Sequence, residues 1–136
     1  MENEAAVMKK ERSGKMELTF WQIAGIILGF LVIFGTGFFI STTGRPFNTG
    51  IFTIHKLIAV AAVVVLSVLA FRTGRASGLT GIELTGVIAT GVLFLGTLVT
   101  GGMLSVKEMP AVVSRLHLVL PFVTTLFTGV TMFLLR

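Results

Sequence analysis

Four long apolar segments make up most of this 136-residue chain and leave it few ways to fold. Each segment is 21–25 residues long, and at 1.5 Å per helical residue that length crosses a hydrocarbon core of roughly 30 Å. Only 12% of the residues are charged, whereas a soluble domain carries about 25%. The segments are predicted to be membrane-spanning helices at about 18–40, 51–71, 79–101 and 111–135.

Short connections join the four segments, so consecutive helices should run antiparallel. The predicted fold class is an all-α integral membrane protein, a four-helix up-down transmembrane bundle over residues 18–136. Residues 1–17 are polar and of mixed charge, and we expect them to form a cytoplasmic tail. The first segment is too long for the apolar core of a signal peptide, so it should remain uncleaved.

The basic residues predict how the helices are oriented. With both termini on one side, that side holds seven of the eleven Lys and Arg residues, and the positive-inside rule makes it the cytoplasm. We therefore expect a protein of a prokaryotic cytoplasmic membrane with both termini in the cytoplasm. The inner residues are Lys9, Lys10, Arg12, Lys15, Arg72, Arg75 and Arg136, and the outer ones are Arg45, Lys56, Lys107 and Arg115.

Composition excludes several classes of function. The chain has no cysteine, which rules out disulfides, thiol redox chemistry, iron–sulfur ligation and haem attached through Cys-x-x-Cys-His. Its net charge of +5 comes from short flanks around apolar segments, a pattern that suits lipid headgroups and argues against nucleic acid. The sequence holds no nucleophile–histidine–acid set, phosphate loop or acidic metal cluster, and whether the protein is an enzyme stays open.

His55 and His117 are the two histidines of the chain, and each lies near the start of a predicted helix. They fall on the second and fourth helices, which run parallel in an up-down bundle, so their depths should differ by about 3 Å. Two imidazoles at one level can ligate a haem iron from both faces, an arrangement that favours electron transfer. The alternative is that both rings simply form hydrogen bonds across helices.

Small residues surround both histidines. Ala59 and Ala62 follow His55 on one helical face and would leave room for a flat macrocycle. The face of the fourth helix that carries His117 is weakly polar, as in buried helix–helix contacts, and Pro121 should kink that helix. Glycines of the first and third helices would let their backbones approach a porphyrin edge. The weakly polar residues are Ser114, Thr124, Thr128 and Thr131, and the glycines are Gly35, Gly37, Gly96, Gly101 and Gly102.

Three cations lie near the histidines at the predicted outer interface. Lys56 follows His55 directly, and Arg115 lies two residues before His117. Arg45 lies in the loop between the first two helices. We expect all three to pair with haem propionates, with anchoring among lipid headgroups as the alternative.

The stretches Ile54-His55-Lys56-Leu57 and Arg115-Leu116-His117 resemble those of small membrane b-type cytochromes, whose four core helices hold haem between histidines on alternate helices. The resemblance covers the helical region as architecture. It implies haem b as the cofactor, with His55 and His117 as iron ligands. Two-haem members of that family have four histidine ligands, two near each face. The first and third helices here have none, so the resemblance implies one bis-histidine haem near the outer face.

The sequence therefore predicts a membrane electron-transfer protein that works between a quinone or a redox partner protein and an acceptor on the outer side. A second hypothesis is a small proton-coupled transporter or channel subunit, in which Glu83 or the histidines carry protons. Glu83 is also placed to be satisfied by the dipole of a helix N-terminus and by Arg72 or Arg75. A third hypothesis is a non-catalytic membrane accessory subunit. The lipid bilayer is a partner in all three, and the small-xxx-small pair Gly25 and Gly29 would allow a homo-oligomer.

Overall fold

A computed structural model describes Glu4, residues 20–106 and residues 108–135. Each of its four long helices is long and apolar enough to cross a membrane. The predicted fold class, an all-α integral membrane protein with four transmembrane helices, is confirmed. Apart from Glu4, the predicted tail over residues 1–17 lies outside the described residues, as do Lys107 and Arg136. The helices are α1 Phe20–Thr43, α2 Thr49–Ser77, α3 Gly81–Val106 and α4 Ala111–Leu134.

Polar side chains are buried and apolar ones are exposed, the inverse of the pattern in a soluble protein. Among the described side chains, six threonines are buried together with Leu66, Phe94 and Leu135. Large apolar residues are exposed on every helix, including Leu31 of α1 and Leu95 of α3. This arrangement suits a bilayer, because lipid tails cover apolar surface while small residues let helices approach closely. The buried threonines are Thr73, Thr90, Thr100, Thr124, Thr128 and Thr131.

α2 extends beyond the apolar segment that predicted it and ends at Ser77 instead of Phe71. Backbone chemistry, not hydropathy, sets this end. Gly78 has a φ of +71° and donates its N–H to the Gly74 carbonyl at 3.2 Å, as in a C-terminal glycine cap. Because glycine adopts positive φ without a steric penalty, the helix continues through the polar residues around Arg72 until it reaches this position.

α3 begins with a capping box. The Glu83 carboxylate accepts hydrogen bonds from the Thr80 N–H at 2.7 Å and from the Thr80 hydroxyl at 2.8 Å. In return, the Glu83 N–H donates to the Thr80 hydroxyl at 3.4 Å. This reciprocal pairing satisfies N–H groups that the first turn of a helix leaves without intrahelical partners. The expectation that Glu83 is satisfied at a helix N-terminus is confirmed, whereas its pairing with Arg72 or Arg75 stays a prediction.

The predicted end of α3 at Gly101 and Gly102 is wrong, because the helix continues to Val106. A glycine inside a helix costs about 1 kcal/mol relative to alanine, so two together suggested a break. The structure gives Gly101 another purpose, since it lies against the ring of His117 on α4. Close packing of a neighbouring helix thus outweighs the weak helix propensity of glycine here.

The turn between α1 and α2 is built from residues that favour such turns. Gly44 follows α1 with a φ of +65°. The Asn48 side chain then accepts the Ile51 N–H at 3.2 Å, and its carbonyl accepts the Phe52 N–H at 3.0 Å. Asn48 is therefore the N-cap of α2. α4 begins directly after Pro110.

Two compact units divide the helical region, Leu18–Val68 and Leu69–Arg136. We call α1 with α2 up to Val68 the first hairpin, and α3 with α4 the second hairpin. In the second hairpin, Thr90 Oγ1 in the first half of α3 and Thr131 Oγ1 near the end of α4 lie 2.9 Å apart. Each hairpin carries one histidine, and in both cases it lies in the second helix.

Candidate functional site

His55 lies near the start of α2 and directs its half-buried imidazole at α1. Its Nδ1 lies 3.0 Å from Thr36 Oγ1 and 3.1 Å from the carbonyl oxygen of Ile33. Both partners belong to the C-terminal half of α1. One ring nitrogen of His55 is therefore held by two oxygens of the neighbouring helix.

These hydrogen bonds assign the ring proton of His55 to Nδ1. A carbonyl oxygen can only accept, so the Ile33 carbonyl requires a donor at Nδ1. The Thr36 hydroxyl donates its proton to the Val32 carbonyl at 2.6 Å, and it therefore also accepts from Nδ1–H. In the neutral imidazole the lone pair is then on Nε2, where a metal ion would bind.

His117 repeats this arrangement in the second hairpin. It lies in α4, is half-buried, and places Nδ1 2.9 Å from Thr100 Oγ1 of α3. The Thr100 hydroxyl donates to the Gly96 carbonyl at 2.8 Å, so it accepts from Nδ1–H of His117. The lone pair of this imidazole is again on Nε2.

A glycine follows each of these threonines and lies against the ring. A Cβ added to Gly37 would lie 3.1 Å from His55 Cε1, and one added to Gly101 would lie 2.7 Å from His117 Cε1. Close approach was expected at both glycines, and the group that approaches is the imidazole of the facing helix. Approach to a porphyrin edge stays a prediction. The other glycines predicted for this level do not contact the rings. A Cβ added to Gly35, Gly96 or Gly102 would have neither imidazole within 4 Å.

The three predicted cations are exposed. The Lys56 ammonium lies 4.2 Å from the centroid of the Phe52 ring, and the Arg45 guanidinium lies 5.3 Å from that of Phe47. The two rings stack at 5.4 Å. An aromatic pair with a cation over each ring thus occupies the loop end of the first hairpin, and Lys56 extends toward the start of its helix as a snorkelling side chain does. Pairing of these cations and of Arg115 with propionates stays a prediction.

The weakly polar face of α4 packs against α3, as predicted. Thr124 is buried with its hydroxyl 3.3 Å from that of Thr97, and Thr131 is buried against Thr90. The inclusion of Ser114 in this buried face is wrong. Ser114 is exposed in the first turn of α4.

Three other residues predicted near the histidines lie in α2 and α4. Ala59 and Ala62 are half-buried in α2. Pro121 lies inside α4 and has no N–H to donate to the His117 carbonyl one turn earlier. The space for a macrocycle and the kink in α4 stay predictions.

The two threonines that hold the rings were missed by sequence reasoning, although a signal for them is present. The segments TGFFIS at 36–41 and TGGMLS at 100–105 share the pattern Thr-Gly-x-x-(Ile/Leu)-Ser. A histidine follows each segment in the next helix. Alignment of the two halves of the chain with each other would have revealed the pattern.

His55 and His117 belong to different compact units. A ligand shared by both histidines therefore stays a prediction, whereas the contacts of each ring within its own hairpin are observed. Comparisons with protein-family models, with curated proteins and with solved structures each found no match.

Proposed function

We propose that this protein is a membrane electron-transfer protein that binds one haem b with His55 and His117 as the axial ligands. In this proposal the haem is near the outer face of a prokaryotic cytoplasmic membrane, and both chain termini are in the cytoplasm. The depth of the histidines along the helices and the distribution of basic residues support that placement.

The observation that carries the proposal is that Nδ1 of each imidazole contacts an oxygen of the preceding helix. The hydrogen-bond partners assign the ring proton to Nδ1 in both cases, so each ring carries its lone pair on Nε2. Histidines that ligate metals almost always donate their other ring N–H to an oxygen acceptor, which fixes the tautomer and raises the basicity of the ligating nitrogen. Two rings held in the same way would be suited to hold one haem iron between them.

Haem iron with two imidazole ligands supplies one-electron transfer and has no open coordination position. The residues of the chain hold and orient this group. Thr36 and Thr100 fix the rings, and the exposed cations Lys56, Arg115 and Arg45 offer positive charge to carboxylates at the membrane surface.

The protein would pass electrons between two partners. One is a quinone or a redox partner protein, and the other is an acceptor on the outer side. The exposed apolar surface of the helices supports contact with the bilayer, where a lipid-soluble quinone is found. Both predicted ligands lie near the outer face of the membrane. A single haem held by them would therefore exchange electrons near the outer face alone.

Two competing functions use the same residues differently. A proton-coupled transporter or channel subunit needs an intramembrane group that takes up and releases protons. The capping box of α3 explains the position of Glu83 without transport, so this hypothesis depends on the histidines. A non-catalytic accessory subunit is favoured by the cross-helix hydrogen bonds, because these contacts alone can explain why both histidines are present.

Absorption spectra of the protein and its histidine variants test the proposal. The chain is produced with an adequate haem supply, purified in mild detergent and reduced with dithionite. We expect a sharp α band in the parent and its loss in His55→Ala and in His117→Ala. A colourless parent that stays colourless after addition of hemin would overturn the proposal.

Chemical rescue separates ligation from a structural role. In His55→Gly and His117→Gly, added imidazole should restore the low-spin spectrum, because the free ring can occupy the vacated axial position. Far-UV circular dichroism of each variant serves as the folding control. A variant that keeps its helix content and its α band without any imidazole would show that its histidine is not a ligand.

A further inference from the structure

The two hairpins repeat one pattern of sequence and of local structure. Thr-Gly-x-x-(Ile/Leu)-Ser occupies 36–41 in α1 and 100–105 in α3. The serines that end the pattern behave alike, since Ser41 Oγ donates to the Phe38 carbonyl at 2.7 Å and Ser105 Oγ donates to the Gly102 carbonyl at 2.6 Å. The match in sequence is therefore also a match in hydrogen bonding.

The ring contacts repeat as well. Nδ1 of the histidine lies 3.0 Å from the threonine hydroxyl in the first hairpin and 2.9 Å from it in the second. The histidine follows its threonine by 19 residues in one case and 17 in the other. One of the two extra residues lies in the loop and the other in α1 between Thr36 and Thr43, and the contact between hydroxyl and ring is the same.

We propose that Thr36-Gly37 and Thr100-Gly101 are two copies of one histidine-positioning site, each of which holds its imidazole protonated at Nδ1. Coordination of haem iron by Nε2 rests on the function proposed above, whereas the positioning itself does not. Thr36 and Thr100 are positioning residues because they act on the ligand atom through the ring.

Threonine suits this task because a hydrogen bond within its own helix orients its hydroxyl. In a helix the threonine hydroxyl donates to a carbonyl one turn earlier, here that of Val32 for Thr36 and that of Gly96 for Thr100. Its lone pair is then the part presented to the facing helix. The glycine that follows leaves the space into which the ring edge fits.

Nuclear magnetic resonance of the haem-free protein tests the tautomer directly. The chain has only two histidines, so ring-labelled histidine gives four ring nitrogens to assign. At about pH 8.5, above the usual titration range of histidine, both rings should carry their proton on Nδ1. A proton on Nε2 in either ring of the parent would overturn the proposal for that hairpin.

Isosteric variants test the role of each hydroxyl. Thr100→Val removes the acceptor without changing the shape, and the Nδ1–H tautomer of His117 should lose population while His55 stays unchanged. Thr36→Val should act on His55 alone, where the Ile33 carbonyl at 3.1 Å remains as a second acceptor and limits the loss of the Nδ1–H tautomer. Thr→Ser at either position should restore the parent tautomer, since the hydroxyl returns.

Matched threonines that do not contact a ring serve as controls. Thr97 of α3 donates to the Leu93 carbonyl and contacts Thr124, and Thr43 of α1 donates to its own helix. Thr97→Val and Thr43→Val should leave both tautomers unchanged. If they change the tautomers as much as Thr100→Val and Thr36→Val do, the assignment of positioning residues is wrong.

Titration with hemin connects the positioning site to its metal. Loss of a hydrogen-bond partner behind a metal ligand typically weakens metal affinity roughly 10–100-fold, so hemin should bind Thr100→Val that much more weakly than the parent. Equal affinity for hemin in parent and variant would contradict a positioning role. If the parent binds no hemin but shows both Nδ1–H tautomers, the proposed function fails and the positioning site stands.

Discussion

At the scale of residues, each histidine depends on two small neighbours of the facing helix. A hydroxyl accepts Nδ1–H, and a glycine leaves room for the ring edge. A buried donor left without an acceptor costs about 1–3 kcal/mol, and an overfilled contact costs a similar amount. The placement of His55 and His117 is therefore as sensitive to Thr36, Gly37, Thr100 and Gly101 as to the histidines themselves.

Alanine at the two ring-contacting glycines should act with different strength. At Gly101 the new Cβ would lie 2.7 Å from His117 Cε1, so the ring must move, and we expect a net loss of stability of about 1 kcal/mol and weaker hemin binding. At Gly37 the distance is 3.1 Å, and the gain in helix propensity of about 1 kcal/mol should nearly offset the crowding.

Thermal unfolding in mild detergent, together with hemin titration, measures both effects. Gly91→Ala is the matched control in α3, because an added Cβ there meets no atom within 4 Å and should stabilise the helix. Greater damage from Gly37→Ala than from Gly101→Ala would contradict the observed contacts.

The histidines were predictable from the sequence, but their partners were not predicted. Two imidazoles in apolar helices stand out because such residues are rare in membranes. Thr36 and Thr100 do not stand out among the many threonines of the chain, since a threonine that holds a ring and one that only packs look alike in one helix. Only the comparison of one hairpin with the other separates them.

At the scale of elements, the helix ends are set by caps that hydropathy does not report. α2 stops at the positive-φ Gly78, and α3 starts at the capping box of Thr80 and Glu83. Apolar length predicted that four helices exist, because each must cross the membrane. It did not predict ends that lie in polar sequence, nor that α3 passes through Gly101.

Removal of the N-cap should destabilise α3. Thr80→Ala loses the hydroxyl that accepts the Glu83 N–H, and we expect a decrease in the free energy of unfolding of about 0.5–2 kcal/mol. Glu83→Gln should be nearly neutral, because glutamine also completes a capping box. Denaturant-induced loss of helix content in mixed micelles is the measurement.

Thr85→Ala is the control for this experiment, since Thr85 is exposed and bonds only its own helix at Gly81 among the described contacts. Its effect should stay within about 0.5 kcal/mol. A large loss of stability in Glu83→Gln would show that the carboxylate has a role beyond the cap.

The threonine pair Thr90 and Thr131 should couple α3 to α4. Their hydroxyls are buried and lie 2.9 Å apart. A double-mutant cycle with Thr90→Val and Thr131→Val should give a coupling energy of roughly 0.6–1.7 kcal/mol, the range for hydrogen bonds between membrane helices. The cycle of Thr90→Val with Thr125→Val should give no coupling, because Thr125 donates to the Pro121 carbonyl of its own helix.

At the scale of the whole molecule, the charge distribution predicts orientation. Most basic residues lie on one side of the predicted spans, and the positive-inside rule predicts that this side, with both termini, is in the cytoplasm. The chain has no cysteine, so single cysteines can report topology without a modified background.

Labelling of intact cells with a membrane-impermeant maleimide tests this orientation. We expect Asn48→Cys and Glu108→Cys to react from outside, and Arg75→Cys to react only after the membrane is permeabilised. The reverse pattern would place the termini and the proposed haem on the opposite sides from those predicted.

One measurement on the purified parent tests the central claim most directly. It is the ratio of haem to protein, together with the electron paramagnetic resonance spectrum of the oxidised iron. We predict one haem per chain with a low-spin ferric signal from two imidazole ligands, because in the proposed function His55 and His117 would ligate the same iron. Two haems per chain with one histidine each, or protein that takes up no haem, would contradict this account.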